Sequence, residues 1–154
     1  MNEVEYSNYE VKEYNLKISY PKDWDTTNLD QRMILTILEH KTSKQDTFKE
    51  NIVLYKTQLP NHLTLDSVLN LATNTLYQQY GKVNVIEKKI SKNAMNKDYA
   101  TFTMILPQNG VDIVSSTYYF PVLNDFYVLD FGYNRKDSVK YRPICDKVVN
   151  SLSY

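Results

Sequence analysis

An Asn-Gly pair at positions 109 and 110 separates two runs in which apolar and polar residues alternate, over positions 98–106 and 111–120. Both residues of such a pair accept a positive φ, so Asn-Gly between alternating runs is the strongest local signal of a β-hairpin. A second turn at 121–125 leads into a third alternating run, 126–133, whose apolar residues share one face: Tyr127, Leu129, Phe131 and Tyr133. The pattern predicts an antiparallel meander of three strands.

Four further segments are predicted to be strands. Residues 51–57 and 83–90 have the composition of strands, and the apolar run 32–40 is favoured as a strand although periodicity alone also permits a helix. The remaining strand covers residues 9–20 and is ended by Pro21, because proline cannot donate a hydrogen bond to a neighbouring strand. Its predicted inner face consists of Tyr14, Leu16, Ile18 and Tyr20.

The clearest helical segment covers residues 65–80. Thr64 is the predicted N-cap, Asp66 lies in the first turn where the helix dipole favours a negative charge, and Gly81 is the predicted left-handed stop. One apolar stripe recurs at helical spacing and is predicted to face the core: Leu65, Val68, Leu69, Ala72 and Leu76.

A second helix is predicted to close the chain, with Pro143 in the first turn of its regular part and an end near Leu152. Strands, a helix, an antiparallel meander and a final helix follow one another in this order. That order predicts an α+β fold rather than a parallel βαβ fold. No linker or repeat divides the sequence, so residues 1–154 are predicted to form one domain.

Charge and composition argue against several function classes. Lys plus Arg and Asp plus Glu each number 18, which leaves no basic excess for nucleic acid or for an anionic membrane surface. The three glycines are isolated, so no phosphate-binding loop is expected. The first residues are acidic and lack the apolar stretch of a signal peptide. We therefore expect either a cytoplasmic protein or a chain from which an export segment has been removed.

Few residues offer recognisable chemistry. Cys145 is the only cysteine, and we expect it to be a half-buried apolar residue rather than a nucleophile. His40 and His62 are too far apart in sequence for a local zinc motif. Cys145 and a histidine can be drawn into a hydrolase site, but no local signature supports one. We expect no catalytic, metal or cofactor site.

Acidic residues surround Trp24 in the loop that follows Pro21. Asp23, Asp25 and Asp30 suggest a calcium loop, but the required glycine and terminal glutamate are missing at that spacing. We expect a polar loop in which the tryptophan closes one end of the core.

Two acidic positions stand out from their surroundings. Glu50-Asn51 precedes a predicted strand, and we favour a structural role in which these side chains bind the backbone over a functional one. Asp130 lies within an apolar strand and is expected to point away from the core, since Leu129 and Phe131 take the opposite face.

Several stretches together resemble the PsbP-like superfamily over nearly the whole chain. The resemblance lies in their order and spacing, since each motif alone is weak. The stretches are Leu16-x-Ile18-x-Tyr20-Pro21-x-x-Trp24, the Glu50-Asn51 pair within 48–54, the helix that begins at Leu65-Asp66, Tyr99-Ala100, Tyr127-Val128-Leu129 and the final amphipathic helix.

The resemblance implies an α/β/α sandwich with a central, mainly antiparallel sheet flanked by helices. It does not imply one function. Members include a photosystem II extrinsic subunit, a Ran-binding nuclear import factor, bacterial envelope lipoproteins and adaptor chaperones of type VI secretion. The basic metal-binding stretches of plant members are not matched, and residues 1–15 contain no lipobox cysteine.

From this resemblance we expect a non-catalytic, protein-binding accessory domain, first of all the soluble part of a bacterial envelope lipoprotein. Its location would then be extracytoplasmic, and its only membrane contact an N-terminal lipid anchor upstream of Met1. The alternative is a cytoplasmic adaptor or chaperone for a secreted effector, which uses a sheet edge or a tyrosine-rich face. In both cases the expected partner is another protein and not nucleic acid.

Overall fold

The computed structural model describes residues 3–27, 32–40, 48–57, 63–81 and 84–154. Nine strands and two α-helices follow one another along these residues. They are β1 (Tyr6–Val11), β2 (Leu16–Pro21), β3 (Asp25–Thr27), β4 (Met33–Leu38), β5 (Asn51–Thr57), α1 (Leu65–Tyr80), β6 (Asn84–Lys92), β7 (Asp98–Gln108), β8 (Val111–Val122), β9 (Asp125–Asn134) and α2 (Ser138–Ser151). Neither helix is both long enough and apolar enough to cross a membrane.

Seven strands form one sheet in the order β3-β4-β5-β9-β8-β7-β6, and every neighbouring pair is antiparallel. The predicted hairpin at Asn109 and Gly110 is confirmed, with φ values of 51° and 78°. The strand at 51–57 and the helix at 65–80 are also confirmed. Thr64 caps α1 as expected, because its hydroxyl accepts a hydrogen bond from the Ser67 amide.

Alternation along β9 divides the interior into two layers. One face of β9 carries Tyr127, Leu129, Phe131 and Tyr133, which belong to the main core together with α2 and β2. The other face carries Phe126 and Val128, which pack with Val68 of α1. Helices therefore cover both faces of the sheet, and the predicted α+β fold, an α/β/α sandwich, is confirmed.

The prediction of one strand over residues 9–20 is wrong. These residues form the second half of β1, a 3-10 helix at Lys12–Tyr14 and most of β2, and the two strands pair as a hairpin. Asn15 makes the reversal with a φ of 50°. Alternation continues through both strands, and no glycine or proline marks the turn, so the pattern did not reveal it. The short edge strand β3 lies where we expected only loop.

The prediction that Pro143 lies in the first turn of the last helix is wrong. Helix α2 begins five residues earlier, at Ser138, so Pro143 is in its second turn. Proline has no N–H to donate to the carbonyl of Val139. Val139 is 92% exposed, so water can satisfy that carbonyl and the helix continues.

The end of the chain packs against its beginning. Lys17 of β2 exchanges two backbone hydrogen bonds with Ser153, with N···O distances of 2.9 and 3.0 Å. The Ser19 amide donates to the Ser151 hydroxyl at 2.8 Å. The hairpin of β1 and β2 is thus held on the main core by the last residue of α2 and by Ser153, which follows it.

Candidate functional site

A cavity of about 560 Å³ lies between α1 and the sheet face opposite α2. Helix α1 forms its roof, and strands β5, β7, β8 and β9 contribute to its floor and sides. The roof residues come from the predicted apolar stripe and the residues beside it: Val68, Leu71, Ala72, Thr75 and Leu76. The cavity exists because α1 packs over part of this face and leaves the adjoining part uncovered.

The lining of the cavity is mainly apolar. Alternation along β7 places Phe102, Met104 and Leu106 on the α1 side, and β8 adds Ile113. Phe48 closes the end next to β5. Pockets that hold small molecules have this character, an apolar wall with a few polar groups that fix orientation.

Asp130 supplies the carboxyl group of the cavity lining. It lies on β9, the central strand of the sheet, directly between Val53 of β5 and Thr117 of β8. Burial raises the pKa of Asp130, while hydrogen bonds with the hydroxyls of Thr117 and Tyr55 act in the opposite direction. The side chain points away from the main core, as predicted, and lies in the cavity beneath α1, where it is half-buried.

Two tyrosines are the other titratable groups in the cavity lining that the structure describes. Burial, and then the nearby Asp130, raises the pKa of Tyr119 to about 12 and raises that of Tyr55 as well. Both phenols are therefore neutral at pH 7 and available as hydrogen-bond donors. The sequence pattern did not reveal that the two tyrosines lie beside Asp130. The turn between β8 and β9 contains only residues 123 and 124, and this register sets Thr117 opposite Asp130. A two-residue turn, in place of the predicted turn at 121–125, would have revealed that pair.

We expect Asp130→Asn to stabilise the protein at pH 7 by about 1 kcal/mol, the lower end of the desolvation penalty of a polar group, because Asp130 is half-buried. The reason is linkage: the folded pKa lies above the ordinary value of 3.8, so the wild type loses stability as pH rises from that value through the folded pKa. The variant lacks this loss. Urea denaturation at pH 3 and pH 7 measures the difference, which should be small at pH 3. A variant that is less stable at pH 7 would contradict the assignment.

Cys145 lies on α2 and is buried against the main core. Burial and then the neighbouring Asp146 raise the pKa of its thiol, so the thiolate is scarce at neutral pH. This arrangement agrees with the expected role as a small apolar residue and disfavours a nucleophile.

The histidine and the residues of the acidic loop around Trp24 that the structure describes do not line the cavity. His40 is exposed, and its Nδ1 lies 3.1 Å from Oδ2 of Asp25, which is also exposed. Asp23 is exposed as well, and His62 and Asp30 lie outside the described residues. Trp24 is buried and meets the ring of Tyr141 edge-on, as the core-closing role requires. No group of three or more His, Cys, Asp or Glu suited to a metal is found in the described part of the chain.

Glu50 and Asn51 make the side chain to backbone hydrogen bonds that the structural interpretation expects. The Asn51 side chain donates to the carbonyl of Lys49 at 3.0 Å, and Glu50 Oε1 accepts from the Asn134 amide at 3.4 Å. Asn51 also lines the cavity, opposite Gly132. The pair therefore ties the start of β5 to the end of β9, at one end of the cavity.

Glu50 belongs to a buried cluster on the other face of the sheet. Its carboxyl is hydrogen-bonded to that of Glu39, which also accepts from the Tyr141 hydroxyl at 2.6 Å and from Lys140 Nζ at 3.0 Å. Burial acts to raise the pKa of Glu39, but these hydrogen bonds outweigh it and hold the pKa below 4.5. Two carboxyl groups can share a hydrogen bond only when one of them carries a proton.

Comparison with known proteins identifies the fold. No family model matches the chain, and no curated protein matches it. Among solved structures, the solution structure of cyanobacterial PsbP (CyanoP) from Synechocystis sp. PCC 6803 is similar with a TM-score of 0.72 at 11% identity, covering 99% of this chain and 94% of that one. The predicted PsbP-like fold is thereby confirmed.

Two other solved structures have the same architecture. LpqN of Mycobacterium tuberculosis, described as involved in cell envelope biogenesis, matches with a TM-score of 0.68 at 12% identity over 99% of this chain and 91% of that chain. PA94 of Pseudomonas aeruginosa is described as a protein of unknown function and putative regulator. It matches with a TM-score of 0.68 at 9% identity, over 97% of this chain and 96% of that chain. At these identities the likeness establishes the fold.

Proposed function

We propose that this protein is a non-catalytic accessory domain of the bacterial cell envelope that acts by binding an apolar molecule in the cavity beneath α1. The cavity carries the proposal. Its volume of about 560 Å³ lies within the range of small-molecule sites. Its roof and floor are both mainly apolar, and a hydrocarbon group bound there would gain about 25 cal/mol for each Å² that it removes from water.

One observation supports the envelope location, and another supports the accessory role. LpqN, which has the same fold, is described as involved in cell envelope biogenesis. The neighbours named above are a PsbP protein, this envelope protein and a putative regulator, which agrees with an accessory role. A lipid anchor upstream of Met1 and a protein partner are further parts of the proposal.

Binding of an uncharged fluorescent probe tests the role of the cavity. We expect Nile red to bind the wild type saturably and Ala72→Phe, which fills the cavity from its roof, to weaken binding at least tenfold. Asn74→Phe is the matched control, because Asn74 is exposed on the same helix and outside the cavity lining. Circular dichroism checks that both variants fold. Absence of saturable binding, or equal loss in both variants, would refute the proposal.

The location is tested on the endogenous protein. Its intact mass and N-terminus, measured from the source cells, should reveal a diacylated cysteine upstream of Met1. A native, unmodified start at Met1 would exclude the lipid anchor and would favour the cytoplasmic adaptor, which holds a hydrophobic segment of a secreted protein.

A further inference from the structure

The geometry points to an amphipathic amine as the molecule that the cavity beneath α1 selects, with its hydrocarbon part against α1 and β7 and its ammonium group on Asp130. This inference rests on the proposed function and adds the chemical class of the ligand. Three features of the cavity carry it: the position of the carboxyl group, the absence of a countercharge in the described lining, and the distribution of apolar surface.

Asp130 is placed where a ligand can reach it. Its neighbours across the sheet are Val53 and Thr117, and register alternation directs all three side chains toward α1. The hydroxyls of Thr117 and Tyr55 occupy part of its hydrogen-bonding capacity. A carboxylate accepts about four hydrogen bonds, so acceptor positions remain for a ligand within the cavity that Asp130 lines.

The described lining supplies no cation for this carboxylate. Lys, Arg and His are absent from the described residues that surround the cavity. From α1 the facing residues are Val68, Leu71, Ala72, Thr75 and Leu76, and none of them titrates. From β5 and β8 the titratable groups are Tyr55 and Tyr119, both neutral at pH 7. A carboxylate in an apolar site is costly without a countercharge, and a bound ammonium group provides one.

The apolar surface lies to one side of the carboxyl group. Phe102, Met104 and Leu106 of β7 and Leu76 of α1 line the part of the cavity beyond β8. A molecule with its polar group on Asp130 can therefore extend its hydrocarbon part along β8 and β7 beneath the helix. A fatty acid in the same orientation would place one carboxylate against another, and like charges at such a site disfavour binding.

Three ligands of equal chain length test the inference by isothermal titration calorimetry: octylamine, octanol and octanoate. At pH 7 we expect octylamine to bind at least tenfold more tightly than octanol, and octanoate to bind most weakly. In Asp130→Asn the ratio of amine to alcohol affinity should approach one. Asp98→Asn, an exposed change outside the cavity lining, is the control that should keep the wild-type ratio.

The pH dependence of the wild type provides a second measurement that needs no variant. The amine stays protonated below about pH 10, as lysine does. Its affinity should therefore rise with pH through the raised pKa of Asp130, while octanol should show no such rise. Equal affinities for amine and alcohol, or a preference that survives in Asp130→Asn, would overturn the ligand class. Saturable Nile red binding would then still support the proposed function. If neither the amine preference nor saturable Nile red binding is observed, both the ligand class and the proposed function are refuted.

Discussion

Asn93→Ala is expected to lower the free energy of unfolding by about 3–5 kcal/mol, because several buried groups would lose their partners at once. Asn93 lies in the turn between β6 and β7 and is 5% exposed. Its amide nitrogen donates to the carbonyls of Val149 and Leu152, both at 2.9 Å. Its side-chain oxygen accepts from the amides of Met95 and Lys97, at 3.0 and 2.9 Å.

These four hydrogen bonds join a turn of the sheet to the end of α2. The last carbonyls of a helix have no partner within the helix. Asn93 supplies donors to two carbonyls at the end of α2 and at the same time closes its own turn. Removal of the side chain would leave the two carbonyls of α2 and the two amides of the turn without their hydrogen-bond partner. Water cannot readily replace that partner in a buried place.

Asn93→Asp separates this explanation from simple loss of volume. Aspartate has the same shape, but it would present an oxygen in place of the amide donor to the two carbonyls. We therefore expect it to destabilise the protein about as much as alanine does at pH 7. Asn70→Ala, an exposed change on α1, should alter stability by less than about 0.5 kcal/mol. Urea denaturation measures all three, and a mild effect of Asn93→Asp would show that the donor is unnecessary.

Glu50→Ala should cost about 3 kcal/mol, whereas Glu50→Gln should stay within about 1 kcal/mol of the wild type. Glu50 is fully buried, and its carboxyl is hydrogen-bonded to Glu39. Lys140 and the Tyr141 hydroxyl both donate to Glu39, which favours the negative charge on Glu39 and the proton on Glu50. Glutamine keeps both a donor for Glu39 and an acceptor for the Asn134 amide. Alanine removes both and leaves a cavity.

Thermal and urea denaturation of the two variants provide the measurement. Equal destabilisation by glutamine and alanine would mean that Glu50 is not the proton donor of the pair. Because the folded pKa of Glu39 is lowered, its contribution to stability is present above pH 4.5 and is lost as pH falls through the folded value. Both the wild type and Glu50→Gln should therefore lose stability in acid over that interval.

The sequence predicted elements whose cause is local. The Asn109-Gly110 turn, the Thr64 cap and the stripe along α1 all depend on residues within a few positions of one another, and each is found where it was expected. The β1–β2 hairpin was missed because its reversal depends on one left-handed asparagine, Asn15, within an uninterrupted alternation.

The candidate site was predictable only in part, since its parts come together through long-range packing. Alternation correctly placed Asp130 opposite the main core. It could not show that α1, 50 to 65 positions earlier in the chain, lies over that face, so that this aspartate lines a cavity beneath the helix. No local pattern could single out Asn93, because its partners at the end of α2 lie 56 and 59 positions away. Glu50 stood out in the sequence, but its partner Glu39 did not.

The pairing of Lys17 with Ser153 has a consequence for biosynthesis. Leu16 and Ile18 of β2 are buried in the same core as Val148 and Leu152, near the end of the chain. The β1–β2 hairpin must therefore wait for residues 148–153 before it can dock. The core cannot be completed until those residues have emerged from the ribosome, so up to that point the domain stays open to export machinery or chaperones.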